Sequence, residues 1–220
     1  MQALIFDMDG TLVDTVYGHV LAWQRALDEV DLPIEAWKIH RRIGMSGGLF
    51  TRAVAREVGR PLTSAEVEAV QLRHGELYRE LLPVRRPLPG ALELLRELRA
   101  TGIPHGIATS GRRPEIDASL DALGIGSETV VVERGNVERA KPEPDLFLNC
   151  AAQLGVPPDE CYVVGDAVWD LLAARRAHML SIGLLSGGYG DDELIRAGAF
   201  RVYRDPDDLR QSLDELGVVP

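Results

Sequence analysis

Asp7 and Asp9 stand two residues apart in Asp7-Met8-Asp9-Gly10-Thr11, directly after the apolar run Ala3 to Phe6. If that run is a strand, the alternation of side chains lets both carboxylates point the same way. Like charges about 4 Å apart repel by roughly 4 kcal/mol at an effective dielectric near ~20. A cation must therefore stand close by, and Gly10 lets the chain turn away sharply. Taken alone, the pentapeptide also reads as a polar turn closing a strand.

Three further segments carry chemistry. Gly106-Ile107-Ala108-Thr109-Ser110-Gly111 ends an apolar run, and Pro114 is placed to begin a helix. A hydroxyl and free N–H groups at a helix start bind an anion, or simply cap the helix. Among 24 basic residues only Lys38 and Lys141 are lysine. Ala140-Lys141-Pro142 thus keeps a compact point charge where the rest of the chain prefers guanidinium, with proline favouring an extended lysine. Val163-Val164-Gly165-Asp166 leads after one helical turn to Asp170. Oxygen ligands gathered this way suit Mg²⁺, although Asp166 alone also reads as an N-cap.

These residues need a scaffold that brings strand ends together. Ala3 to Phe6, Ile103 to Thr109, Thr129 to Val132, Cys161 to Gly165 and Leu180 to Leu184 read as strands, with Ala199 to Tyr203 a weaker sixth. Short apolar runs separated by helices indicate an α/β fold, a doubly wound and mostly parallel sheet buried on both faces. Ala91, Leu94, Leu95 and Leu98 make one helical stripe, closed by Gly102, and Pro144 opens another helix that ends at Gly155. The alternation breaks after the first strand. There the chain is helical over Val16 to Val30, Glu35 to Ile43, Leu49 to Val58 and Ser64 to Leu82. The last opens on the capping-box pattern Thr63-Ser64-Ala65-Glu66 and carries Val67, Val70, His74, Leu77 and Leu81 on one stripe. The sequence therefore implies an inserted helical domain over 15–82 and a core built from 1–14 and 83–220, with the Pro-rich Pro83 to Gly90 as the return hinge.

A net charge of −10 argues against nucleic acid or an anionic membrane as partner. No apolar window is long enough to span a bilayer, and the first residues lack the basic and apolar regions of a secretory signal, so a cytoplasmic protein is expected. Cys150 and Cys161 have neither disulfide-framework nor metal-ligand spacing and read as buried thiols.

In order and position the four chemical segments resemble the motifs of the haloacid dehalogenase superfamily of hydrolases, and the likeness covers nearly the whole chain. Asp7-x-Asp9-Gly10-Thr11 resembles the first motif, Thr109 the second, Lys141-Pro142 the third, and Gly165-Asp166-x-x-x-Asp170 the fourth. The insert resembles the family's C1-type helical cap. This resemblance implies that Asp7 attacks phosphorus and that Asp9 protonates the leaving alkoxide and later activates water. It implies that Thr109, with the amides of Ser110 and Gly111, binds phosphoryl oxygens and that Lys141 neutralises both Asp7 and the phosphoryl group. It further implies that Asp7, the Asp9 carbonyl and Asp166 ligate Mg²⁺, with Asp170 binding it directly or through water.

Within the superfamily, Asp9 speaks against dehalogenation, which needs no leaving-group proton. Lys38, the lone lysine of the insert, lies several residues before the cap loop and fits poorly with Schiff-base phosphonate hydrolysis. Asp14-Thr15-Val16-Tyr17-Gly18-His19, followed by Trp23, is similar to a stretch of the β-phosphoglucomutase type. There a cap histidine, matched by His19, shields the phospho-enzyme from water, and a cap arginine grips the distal phosphate; His19 reads equally well as a satisfied helix histidine. Gly47 occupies that arginine's place here, and Thr11 is more typical of phosphatases. The expected activity is Mg²⁺-dependent hydrolysis of a small phosphorylated metabolite, of phosphoglycolate or sugar-phosphate type. A mutase and a non-catalytic phosphate-binding module are the alternatives. Trp23 and His74 are expected to pack structurally, His40, His105 and His178 have no motif context, and Arg112 and Arg113, which follow the phosphate loop within reach of a substrate, read first as solvated. Monomer and dimer are equally open.

Overall fold

Continuous apolar runs become central strands when helices cover both faces of a sheet. In the computed structural model, which describes residues 2–218, β1 (Ala3–Phe6) is buried along its whole length. β2 (His105–Ala108), β3 (Val130–Val132), β4 (Cys161–Gly165), β5 (Leu180–Leu184) and β6 (Arg201–Tyr203) complete a six-stranded sheet of order β3-β2-β1-β4-β5-β6. Every pairing is parallel. Alternation splits β1 between two cores. Leu4 and Phe6 pack with Leu94, Leu95 and Leu98 of α5 (Ala91–Thr101), while Ala3 and Ile5 pack with Leu146, Phe147 and Cys150 of α7 (Asp145–Leu154). This is the doubly wound α/β architecture expected from the sequence. Its strand order reverses at β1, and β1 pairs β4 across the crevice where such sheets hold ligands.

Between β1 and β2 lie α1 (Val16–Asp28), α2 (Ala36–His40), α3 (Gly47–Val58) and α4 (Ser64–Leu81). They share an apolar cluster of their own, centred on Ala26, Leu27, Ile39, Phe50, Val54 and Tyr78. α4 begins in the expected capping box: Thr63 Oγ1 accepts from the Glu66 N–H, and Glu66 Oε2 accepts from the Thr63 N–H at 2.8 Å. Two crossings join this layer to the sheet, pinned by Asp14 N–H to Arg86 O (2.9 Å) and Leu88 N–H to Leu12 O (2.9 Å). The chain is completed by α6 (Asp117–Ala122), α8 (Val168–Arg176), α9 (Asp191–Ala197) and α10 (Pro206–Gln211).

Two local expectations need correction. The second strand is shorter than Ile103 to Thr109, since Pro104 has no N–H for the ladder and only its carbonyl serves β1. No helix starts at Pro114. The segment after Thr109 is held sideways to the exit of β3, by Arg134 N–H to Gly111 O (3.0 Å) and Arg113 N–H to Glu133 Oε2 (2.8 Å). The chain first makes turns, with Ile116 N–H on Arg112 O (3.2 Å), and the regular helix starts only at Asp117. Lys141 is joined to Pro142 through a cis peptide. Both cysteines are free and buried, as expected.

Candidate active site

The exits of β1, β2, β3 and β4 meet beneath α1 and α4. Asp7 leaves β1 with its N–H on Val164 O (2.8 Å), so the backbone itself locks this aspartate to β4. Gly10 follows with a φ of 81°, and a Cβ there would stand 2.5 Å from Asp166 Oδ2. Both the left-handed backbone and the close approach of Asp166 therefore require glycine. Thr11 Oγ1 donates to Asp166 Oδ1 (2.8 Å), and Ser186 Oγ donates to the Gly10 carbonyl (2.6 Å). At β2's exit the Thr109 hydroxyl accepts the Gly111 N–H at 3.0 Å. That amide is thus spent inside the loop rather than free for an anion.

Lys141 is fully buried, with Nζ at 2.5 Å from Asp7 Oδ1 and 2.9 Å from Asp170 Oδ1. Asp170 also receives the Ala167 N–H on Oδ2 at 3.0 Å, while its buried Oδ1 faces the Lys141 charge without a hydrogen bond. One lysine faces three buried acids: carboxylate oxygens of Asp7, Asp166 and Asp170 lie within 4.8 Å of one another. Burial pushes Asp166 well above the usual carboxylate range, and Asp170 and Asp7 add to the rise. Burial likewise pushes Asp7 up to about 7, against the pull of Lys141. A hard-oxygen cluster with surplus negative charge fits a small divalent cation such as Mg²⁺.

Asp9 is the electrostatic opposite. Burial would raise it, but the adjacent His19 and hydrogen bonds from His19 and Thr15 hold it at about 2. Thr15 Oγ1 donates to Asp9 Oδ1 at 2.7 Å, and His19 Nε2 lies 3.3 Å from the same oxygen. His19 Nδ1 pairs with His74 Nε2 at 3.1 Å. The His19 ring stacks on Tyr78, centroids 3.8 Å apart, and the His74 ring on Trp23 at 3.9 Å. His74 is therefore not a mere packing histidine, and Trp23 both packs and faces the cavity. The helical stripe was read correctly, but part of it faces the site instead of the apolar cluster. His40, without sequence context, puts Nε2 2.8 Å from the Gly187 carbonyl.

Asp7, Asp9, His19, Gly47, Thr109, Ser110, Gly111 and Asp166 line one cavity of about 130 Å³. Gly10, Lys141 and Asp170 stand behind its floor. Arg112 is solvent-exposed and also lines the cavity, while Arg113 turns away to pair with Asp117. Sequence reasoning missed Tyr78, Arg134, Glu115 and Gly187. Arg134 was within reach of the same strand-end logic, since it follows the exit of β3. The helical layer is tied down over the site by Ser46 N–H to Lys141 O (3.1 Å) and Ser110 Oγ to Gly44 O (3.4 Å). On the far side, Trp169 Nε1 (3.1 Å) and Tyr189 Oη (2.9 Å) both donate to the Arg41 carbonyl.

A family model described as haloacid dehalogenase-like hydrolase matches residues 1–178. The chain belongs to the haloacid dehalogenase-like hydrolase family. It is 32% identical over 220 residues to a β-phosphoglucomutase of Bacillus subtilis, covering 97% of this chain and 93% of that protein. It is also 32% identical over 235 residues to a phosphoglycolate phosphatase of Rhodospirillum rubrum, covering 100% and 96%. A crystal structure of a hydrolase from Pseudomonas syringae superposes with a TM-score of 0.95 at 47% identity, covering 98% and 99% of the two chains. Family membership accounts for the ordered strand-end motifs. The likeness to both a mutase and a phosphatase leaves the choice between them to the chemistry of the cavity. No helix among the described residues is long and apolar enough to cross a membrane.

Proposed function

We propose that this haloacid dehalogenase-like hydrolase is a phosphomonoesterase for a small phosphorylated metabolite, working through an aspartyl-phosphate on Asp7. The observation that carries the reading is the buried Lys141 between Asp7 and Asp170, beside Asp166, at the floor of a closed-over cavity. Residues 15–82 act as the cap, and 1–14 with 83–220 as the core.

Asp7, the Asp9 carbonyl and Asp166 would hold Mg²⁺, with Asp170 binding it directly or through water. The ion supplies charge neutralisation for the phosphoryl group and keeps Asp7 ionised. Asp7 attacks phosphorus, and the bond to the leaving oxygen breaks. Thr109 and the Ser110 amide position the phosphoryl oxygens, while Lys141 offsets their charge. Asp9 at about 2 is ionised on its own at neutral pH. The proton a leaving alkoxide needs is therefore held by the His19–Asp9 pair and delivered through Asp9. Asp9, again ionised, takes a proton from water, whose oxygen attacks phosphorus and frees Asp7 and inorganic phosphate.

Gly47, at the first residue of α3, puts no side-chain cation at the position where the mutase type carries its arginine, and the nearby Arg42 is paired with Glu57, which favours hydrolysis over a mutase. The mutase similarity keeps that second reading open: it requires isomer formation without release of phosphate. The test is phosphate release from p-nitrophenyl phosphate. Turnover should vanish in EDTA and return with Mg²⁺, and full activity in EDTA would overturn the reading. A cytoplasmic setting, with no nucleic-acid or membrane partner, belongs to the same proposal.

A further inference from the structure

Three arginines reach the cavity wall: Arg42, Arg112 and Arg134. Arg42 is already satisfied, by Glu57 Oε2 at 2.5 Å and by the Lys38 carbonyl at 2.9 Å. The other two make no ion pair among the described residues. Arg112 directly follows the Thr109-Ser110-Gly111 loop and is exposed, with no hydrogen bond to its guanidinium. Arg134 is held firmly, since its Nη1 donates to Val137 O (2.7 Å) and its Nη2 to Glu138 O (3.2 Å). Those acceptors are neutral, so they aim the guanidinium without cancelling its charge. Partial burial and the nearby charge of Arg112 hold Arg134 below the usual arginine range. Asp145, which attracts Arg134, is already paired with Arg139 at 3.4 Å.

In a chain with acids in surplus, two adjacent cations left without a carboxylate at a cavity wall are a standing receptor for an anion. The cavity's own acids do not fill that role. Glu115 attracts Arg112, but its carboxylate presses on α4 at Gly75, where a Cβ would collide with it. Glu68 sits exposed on α4. Around Gly47 the helical layer presents Ile43, Met45 and Phe50, none of them charged, and its one lining arginine, Arg42, is paired with Glu57. We propose that the non-reacting end of the substrate carries an anionic group, a carboxylate or a second phosphate, received by Arg112 and Arg134 from the core side. This rests on the phosphomonoesterase reading and narrows it to compact phosphorylated acids or bisphosphates, in keeping with a cavity of about 130 Å³.

The test compares kcat/KM for three esters with one two-carbon body: phosphoglycolate, 2-hydroxyethyl phosphate and ethylene glycol bisphosphate. The wild-type protein should favour at least one anionic ester over the hydroxyl ester by about tenfold or more, the scale of a charge-assisted contact. The favoured ester identifies carboxylate or phosphate as the group bound. Arg112→Gln and Arg134→Gln should each lower that preference about fivefold, mainly through KM, and the double variant should bring it close to one. A flat wild-type profile with normal turnover of p-nitrophenyl phosphate overturns this inference alone, as does a loss in the variants that is equal for all three esters. Failure of all three esters with p-nitrophenyl phosphate still turned over also overturns this inference alone, whereas failure of p-nitrophenyl phosphate as well, with Mg²⁺ present, overturns the hydrolase reading and this inference with it.

Discussion

The two sides of the cavity are held by different physics. On the core side, Lys141 and Asp170 are fully buried and Asp7 and Asp166 nearly so, the last two at the exits of the paired strands β1 and β4. On the cap side the fixing agent is stacking: Arg85 lies over Tyr78 at 4.1 Å, Tyr78 on His19 at 3.8 Å, and His74 on Trp23 at 3.9 Å. Charges in low dielectric tolerate little displacement, because an unpaired buried ion is costly. Stacked planes keep their contact through small sideways shifts. The floor is accordingly built to be rigid, and the roof tolerates small shifts of the helical layer.

The sharpest break of that contrast is Asp7→Asn. Turnover of p-nitrophenyl phosphate should fall by about 10⁴-fold or more, while thermal melting shows a protein no less stable, since burial already pushes Asp7 up to about 7. A stable protein with residual activity within tenfold of wild type would mean that the floor does not hold the nucleophile. Lys141→Met should both inactivate and destabilise, by about 3–5 kcal/mol in urea unfolding, because three acids lose their buried counter-charge. Gly187→Ala sharpens the picture without altering a charge. A Cβ at Gly187 would overlap the Asp166 carboxylate, so Mg²⁺ affinity measured by titration should weaken by about 10–100-fold.

Removing metal should expose the floor's electrostatics as a pH dependence. Asp7 rises from 3.8 to about 7 in the folded protein, and Asp166 rises as well. Across that interval the native state holds more protons than the unfolded one, so stability should fall as pH increases from about 4 to 7. In EDTA the Tm at pH 8 should lie on the order of 5 °C below that at pH 5, and saturating Mg²⁺ should flatten the difference. The roof should yield the smallest change. His74→Ala should lower kcat by about tenfold, with His74→Gln recovering most of it through a hydrogen bond to His19. Equal loss in both variants would show that the ring stack, not the contact to His19 Nδ1, carries the effect.

The floor was legible in the sequence for the reason that makes it rigid. Strands buried on both faces are continuous apolar runs, and the residue after each run must lie at the sheet's carboxyl edge, so Asp7, Thr109 and Asp166 could be placed from local pattern alone. Lys141 stood out because the chain otherwise prefers arginine. The roof left weaker marks. His74 shares a helical stripe with Val67, Val70 and Leu77, and periodicity says that a stripe faces inward but not whether it meets apolar core or cavity. Tyr78 is one position beyond Leu77 and was outside the chosen stripe, yet it is among the largest fully buried side chains. Gly187 had no local signal, since its role depends on the approach of Asp166 from another strand. Pro114 misled because the chain around it is tied to the exit of β3, a long-range contact that no helix-start pattern contains.

The Arg41 carbonyl, which accepts from both the Trp169 indole and the Tyr189 phenol, has a practical consequence. The chain has three tryptophans. Trp37 is largely in water, and Trp23 stands against His74. Trp169 alone has its indole N–H anchored across the seam between the two layers. Lifting the helical layer by the width of one water would cut that bond and wet the ring. With Trp23 and Trp37 replaced by phenylalanine, the emission colour of Trp169 would report the separation of the two layers with no label attached.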